Sequence, residues 1–173
     1  MTKPSGLTQT YTTENRVAFR LEYHDADSFD DLDYNRCRQV YGVCFYGDKM
    51  VIGLGGQKQG WGLIGGTVDA GETFDQTLVR EIQEESNMKV LSYLPIGYQK
   101  VSDPRDNSHI YQLRYACAVE PLGPFVSDPA GGVIEIKLIE PAEYKKYFDW
   151  GKIGERIITR ASELKSRLSA GPH

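Results

Sequence analysis

Three glutamates crowd the carboxyl end of one short helix, and nothing else in the sequence restricts the fold as strongly. Thr73 to Ser86 reads as that helix. Thr73 and Gln76 form a T-x-x-Q capping box, and Asp75 sits in the first turn. Leu78, Val79 and Ile82 supply an apolar stripe at helical spacing. Asn87 suits the left-handed residue that ends many helices. Glu81, Glu84 and Glu85 fall in the last two turns and, at about 100° per residue, share one face. Like charges at these spacings repel by roughly a few tenths of a kcal/mol per pair. The helix dipole also disfavours negative charge at this end. Local stability alone would not select the arrangement. A divalent cation reverses the sign of each of these terms, and hard oxygen ligands suit Mg²⁺ or Mn²⁺.

Acidic clusters on helices are more often plain solvated faces, so the context decides. Gly65-Gly66 closes a short strand and opens a tight loop, where glycine lets the backbone approach a metal or phosphate. Gly71-Glu72 leads into the capped helix, and Arg80 is its only cation.

With these residues in place, the segment Gly65 to Met88 resembles the Nudix box, G-x5-E-x7-R-E-U-x-E-E-x-G-U with U aliphatic. Gly66, Glu72, Arg80, Glu81, Ile82, Glu84, Glu85 and Met88 fall on its fixed positions. The departure is Asn87, where the family has glycine; asparagine also tolerates the left-handed conformation. Ile64 stands where many members carry proline. The resemblance implies an α/β fold, a Nudix-type α/β/α sandwich around a mixed sheet. It implies the Gly65 carbonyl, Glu84 and Glu85 as metal ligands. Glu81 would be a further ligand, or would orient or deprotonate the attacking water. Arg80 and Glu72 would hold loop and helix together by charge-assisted hydrogen bonds. The implied cofactor is Mg²⁺ or Mn²⁺, and the implied reaction is attack by water at phosphorus in a diphosphate linkage. Such a substrate is a nucleotide sugar, ADP-ribose or a nucleoside triphosphate. The alternative is a catalytically silent domain of the same fold that senses a nucleotide. A third reading, an isomerase of isoprenoid diphosphates, would need a cysteine in the pocket, whereas Cys44 and Cys117 fall in predicted strands.

Other features bound the partners. The chain has 173 residues, 40% hydrophobic and 25% charged, which suits one folded domain. Its net charge is -4 with no basic run, which argues against a nucleic-acid polymer. A small phosphorylated substrate remains compatible, because a bound cation supplies positive charge. A homodimer is also compatible. Cys37, Cys44 and Cys117 are irregularly spaced, without a CxxC, and His24, His109 and His173 are isolated, so zinc is not expected. The cysteine usage leads us to expect a reducing, cytoplasmic setting. No apolar run approaches the roughly 20 residues of a membrane helix. The polar residues 1–15 read as a flexible lead-in without a signal-peptide core, 16–168 as the domain, and 169–173 as a flexible tail.

Strands are expected over Val17 to Tyr23, Gln39 to Tyr46, Met50 to Leu54, Trp61 to Ile64, Lys89 to Val101, Ile110 to Glu120 and Val133 to Ile139. An Asp-rich loop over His24 to Asn35 and helices over Pro141 to Phe148 and Lys152 to Leu168 complete the reading. The resemblance leaves room for a further carboxylate downstream of the box, with Glu120, Asp128 and Glu135 as candidates. Tyr41, Phe45, Tyr98, Tyr111 and Tyr115 are available to stack on a base. Lys100, Arg105 and Arg114 are available to hold phosphate. Most tyrosines in such a set are packing residues.

Overall fold

The computed structural model describes residues 6–56, 60–127 and 132–169. Its strands are β1 (Leu7–Thr12), β2 (Ala18–Asp25), β3 (Cys37–Tyr46), β4 (Lys49–Gly55), β5 (Trp61–Gly62), β6 (Ile64–Thr67), β7 (Met88–Ser102), β8 (His109–Pro121) and β9 (Val133–Ile139). Helix α1 is Phe74–Ser86 and helix α2 is Gly151–Ser169. Short 3₁₀ turns cover Tyr34–Arg36 and Pro141–Lys146.

The strands form one mixed sheet in the order β1-β2-β7-β8-β3-β4-β5. Strands β3 and β8 run parallel, and the other pairs are antiparallel. Strand β3 divides its second edge: Gln39 to Gly42 pair with β6, and Cys44 to Tyr46 pair with β4. That division opens the sheet beside the box loop.

Alternation along the strands builds two cores. Val40, Cys44, Leu113, Tyr115 and Cys117 join Leu78 and Ile82 of α1 on one face. Val43, Phe45, Ala116 and Ile96 join Ile153, Ile157, Ala161 and Leu164 of α2 on the other. The fold is therefore the expected α/β/α sandwich. Leu78 and Ile82 are fully buried, so truncating either to alanine would cost about 2–5 kcal/mol. Asp75 anchors the amino end of α1 by accepting from the Tyr93 hydroxyl at 2.9 Å and the Tyr115 hydroxyl at 3.2 Å.

Three expectations are corrected. A flexible lead-in does not describe Leu7–Thr12, which pairs with β2 along its whole length. Gln9 also reaches α2: its Oε1 accepts from Ile153 N at 2.6 Å, and its Nε2 donates to Trp150 O at 3.1 Å. The strand escaped notice because its other residues are mostly exposed and polar. Trp61 to Ile64 is two strands, β5 on β4 and β6 on β3, because the sheet splits there. Pro141 to Phe148 holds a 3₁₀ turn in place of an α-helix. In the expected tail, Ser169 ends α2 and 170–173 lie outside the described residues.

Candidate active site

The box residues form a strand, a loop and a helix folded against one another. The predicted cap is present: Thr73 Oγ1 accepts from Gln76 N, and Gln76 Oε1 accepts from Thr73 N. Asn87 closes the helix at φ 53°, ψ 40°, so it takes the left-handed role of the box glycine.

Each paired glycine leaves room for a different neighbour. A Cβ on Gly65 would lie 2.1 Å from the Val40 carbonyl oxygen, so only glycine lets β6 pair this closely with β3. A Cβ on Gly66 would lie 2.4 Å from Glu81 Cδ, so the Glu81 carboxylate occupies the place of a missing side chain. The Gly65 N–H donates to Glu85 Oε2 at 3.0 Å. Glu81 and Glu85 thus project from α1 onto the two box glycines.

Arg80 ties the rest together. Its Nε and Nη2 each donate to Glu72 at 2.8 Å, and Nη2 reaches Thr67 O at 3.2 Å. Its Nη1 donates to Glu81 Oε1 at 2.9 Å and to Glu84 Oε2 at 3.2 Å. These bonds raise its already high pKa, with Glu72 as the largest contributor. In return, Arg80 holds the Glu72 carboxyl at about 2, well below its ordinary 4.5. Glu72 Oε1 also accepts from Asp69 N and the Thr77 hydroxyl, which closes the loop onto the helix.

The structure thus brings Gly65, Glu72, Arg80, Glu81, Glu84 and Glu85 into one place. It does not gather three carboxylates around a common point: among the described residues no group of three or more His, Cys, Asp or Glu is disposed to hold a metal ion. Glu81 and Glu84 turn to Arg80, and Glu85 turns to a backbone N–H.

Glu120 is exposed near the end of β8, opposite Lys89. Glu135 shares a β9 face with Lys137, which packs over Trp61 and Tyr147 on the α2 side. Asp128 lies outside the described residues. Most of the candidate stacking residues are packing groups. Phe45 and Tyr115 are core residues, and Tyr98 packs edge-on against Tyr111. Arg105 is paired with Asp103 in the β7–β8 turn.

Tyr41 and Arg114 differ. They stack, with the guanidinium carbon 4.7 Å from the ring centre, and both line a cavity of about 690 Å³ on the α2 face. Gln9, Gln99, Gln112 and Trp150 line it as well. Neither the amides nor the tryptophan were singled out from sequence. The available signal was Gln39, Gln112 and Gln99, which become aligned neighbours on β3, β8 and β7 only once the register is known.

A mixed α/β/α sandwich carrying this strand, loop and helix defines the class. The family model for the NUDIX domain matches residues 38–160, and the chain belongs to the Nudix hydrolase family. A comparison with curated proteins gave no match. Among solved structures, the fold is similar to a mutant form of the Bacillus subtilis pyrophosphohydrolase BsRppH, at 18% identity and TM-score 0.65, covering 90% of this chain and 96% of that one. It is similar to a NUDIX hydrolase from Nitrosomonas europaea at 14% identity and TM-score 0.59, covering 79% and 97%. It is also similar to the NUDIX domain of Shewanella oneidensis NrtR complexed with ADP ribose, at 18% identity and TM-score 0.52, covering 78% and 94%. At these identities the likeness concerns the fold.

Proposed function

We propose that this chain hydrolyses a diphosphate linkage in a small nucleotide-like molecule, by attack of water at phosphorus, with Mg²⁺ or Mn²⁺ bound. One observation carries the reading. Glu81 and Glu85 lie against the box glycines, and Glu84 joins Glu81 on Arg80, so one guanidinium and the paired glycines of β6 hold all three carboxylates. The donor set suits a hard divalent cation: carboxylate oxygens from one helix face, with the Gly65 backbone bonded to Glu85. When bound, the cation neutralises charge on the phosphoryl oxygens and favours ionisation of water. Glu81, Glu84, Glu85 and the Gly65 carbonyl would hold it, exchanging their present partners. Glu81, against Gly66 of β6, would orient or accept a proton from the attacking water. Arg80 and Glu72 are positioning residues that keep loop and helix in register.

The solved complex of the NrtR NUDIX domain with ADP ribose, and the pyrophosphohydrolase activity named for BsRppH, support a nucleotide-like diphosphate as the substrate class. A second reading is binding without cleavage. It is favoured by the grip of Arg80 on Glu81 and Glu84, which leaves those carboxylates occupied. A hydrolysis screen of nucleotide sugars, ADP-ribose and nucleoside triphosphates with Mg²⁺ and Mn²⁺ separates the two. Phosphorus-containing products that vanish with chelator support the hydrolase. Thermal stabilisation by the same compounds without turnover supports the silent domain.

A further inference from the structure

Arg114 is a buried cation with no ion pair among the described residues. Only 5% of its surface is exposed, and its Nε and Nη1 have no hydrogen-bond partner among the described residues. Its Nη2 donates to Gln112 Oε1 at 3.2 Å, and its plane rests on Tyr41. Leaving a guanidinium so poorly satisfied is costly unless something else completes it. Burial lowers its pKa to about 10, which still leaves it protonated at neutral pH.

Three observations say what completes it. First, Arg114 borders the cavity on the α2 face, which is large enough for a small ligand. Second, the amino end of α2 borders the same cavity at Gly151 and Ile153; Asp149 and Gln9 already accept from those two N–H groups, and the helix dipole adds a positive field there. The acidic residue on the lining, Asp149, is exposed and its carboxylate already accepts from Gly151 N at 2.9 Å. Third, the register joins this cavity to the box. Arg114 on β8 is opposite Tyr41 on β3, which is opposite Gly65 on β6. Two strand spacings put Arg114 about 10 Å from Gly65 across the sheet.

We infer that a phosphate group that is not itself attacked draws the Arg114 guanidinium toward the cavity, so that Nε and Nη1, which the surrounding side chains now cover, donate to its oxygens, while the linkage to be cut lies toward Gly65 and Glu85. This rests on the hydrolase reading for the position of the cut, but not for the binding. The substrate then carries a second anionic phosphate within about 10 Å of the reacting one, as nucleoside-linked diphosphates do. The glutamine row supports the site from below: Gln99 Nε2 donates to Gln112 Oε1 at 2.8 Å, and Gln112 Nε2 donates to Gln39 Oε1 at 2.6 Å.

The test measures binding in chelator, so that turnover plays no part. Pyrophosphate, ADP and adenosine are titrated by calorimetry, with quenching of tryptophan fluorescence as the local signal, since Trp150 lines the cavity. ADP should bind more tightly than adenosine, and Arg114→Gln should weaken ADP by about 10- to 100-fold while leaving adenosine unchanged. Gln112→Glu supplies an internal carboxylate to the guanidinium; it should raise the unfolding temperature and weaken ADP by at least about tenfold. It also serves if Arg114→Gln does not fold. Equal affinity of ADP and adenosine in the wild type, or undiminished ADP binding in either folded variant, overturns the assignment. Absence of hydrolysis in every Mg²⁺ or Mn²⁺ assay, alongside Arg114-dependent ADP binding, overturns the hydrolase reading and upholds the site.

Discussion

Arg80 and Glu72 are joined by two hydrogen bonds of 2.8 Å, from Nε to Oε2 and from Nη2 to Oε1. The fork pins the loop before α1 to the second turn of the helix, and from there Arg80 reaches Glu81 and Glu84. Glu72→Gln should therefore lower activity by about 10- to 100-fold, as loss of a ligand-orienting partner does. It should also change the pH response. The folded-state pKa of Glu72 is depressed to about 2 from 4.5, so its contribution to stability is complete above about 4.5 and is lost as pH falls toward 2. Melting temperatures of wild type and variant should differ at pH 7 and converge between pH 4.5 and 2. A gap that stays constant over that window would contradict the ion-pair assignment.

The paired glycines should separate folding from chemistry. In Gly65→Ala the new methyl group meets the Val40 carbonyl, a backbone atom that cannot move alone. Its cost should reach about 3 kcal/mol or more, read as lost soluble yield or a large fall in unfolding temperature. In Gly66→Ala the methyl group meets the Glu81 carboxylate, which can swing away. That variant should fold near normally and lose most turnover. Parallel melting and hydrolysis assays would show whether the two effects part in this way.

Among the carboxylates, Glu84→Gln and Glu85→Gln should each reduce kcat by roughly 10³-fold. Both should remain folded. The glutamine at position 85 still offers an oxygen to the Gly65 N–H, and position 84 is on the exposed side of the helix. Near-normal turnover in either would remove that residue from the set of ligands.

Divalent cation should raise the unfolding temperature of the wild type, through binding to the native state alone. The gain should shrink in Glu84→Gln and Glu85→Gln. Without metal, Glu84→Gln should be nearly neutral: it relieves repulsion at the helix end but gives up an exposed pair with Arg80, each about a few tenths of a kcal/mol. Melting curves with chelator and with millimolar Mg²⁺ decide this. Stabilisation of equal size in all three proteins would show that the ion binds elsewhere.

The box was legible because its information is local. A capping box, a terminal asparagine and the helical spacing of Leu78 and Ile82 fix α1 within a few residues, and the charges ride on that spacing. The long strands were legible for the same reason. The grip of Arg80 on Glu81 and Glu84 was not, because it depends on rotamers that spacing does not specify. The cavity was hidden more deeply. Arg114 sits in a buried run on β8, where a charged residue is unusual, and only the register reveals that Tyr41 of β3 covers it. Strand β1 was hidden because its value to the fold resides in Gln9, a polar side chain whose partners are more than a hundred residues away.

That same glutamine makes the beginning and the end of the domain mutually dependent. Gln9 bonds to both sides of the first turn of α2, and through it the outermost strand acts as a latch on the last helix. Clipping the chain before Ala18 would release more than an edge strand. It would leave the Ile153 N–H without its acceptor and remove Tyr11 and Thr10 from the cavity wall. Proteolysis at the amino terminus should therefore loosen the carboxyl-terminal helix first, and hydrogen exchange would register the two ends opening as one unit.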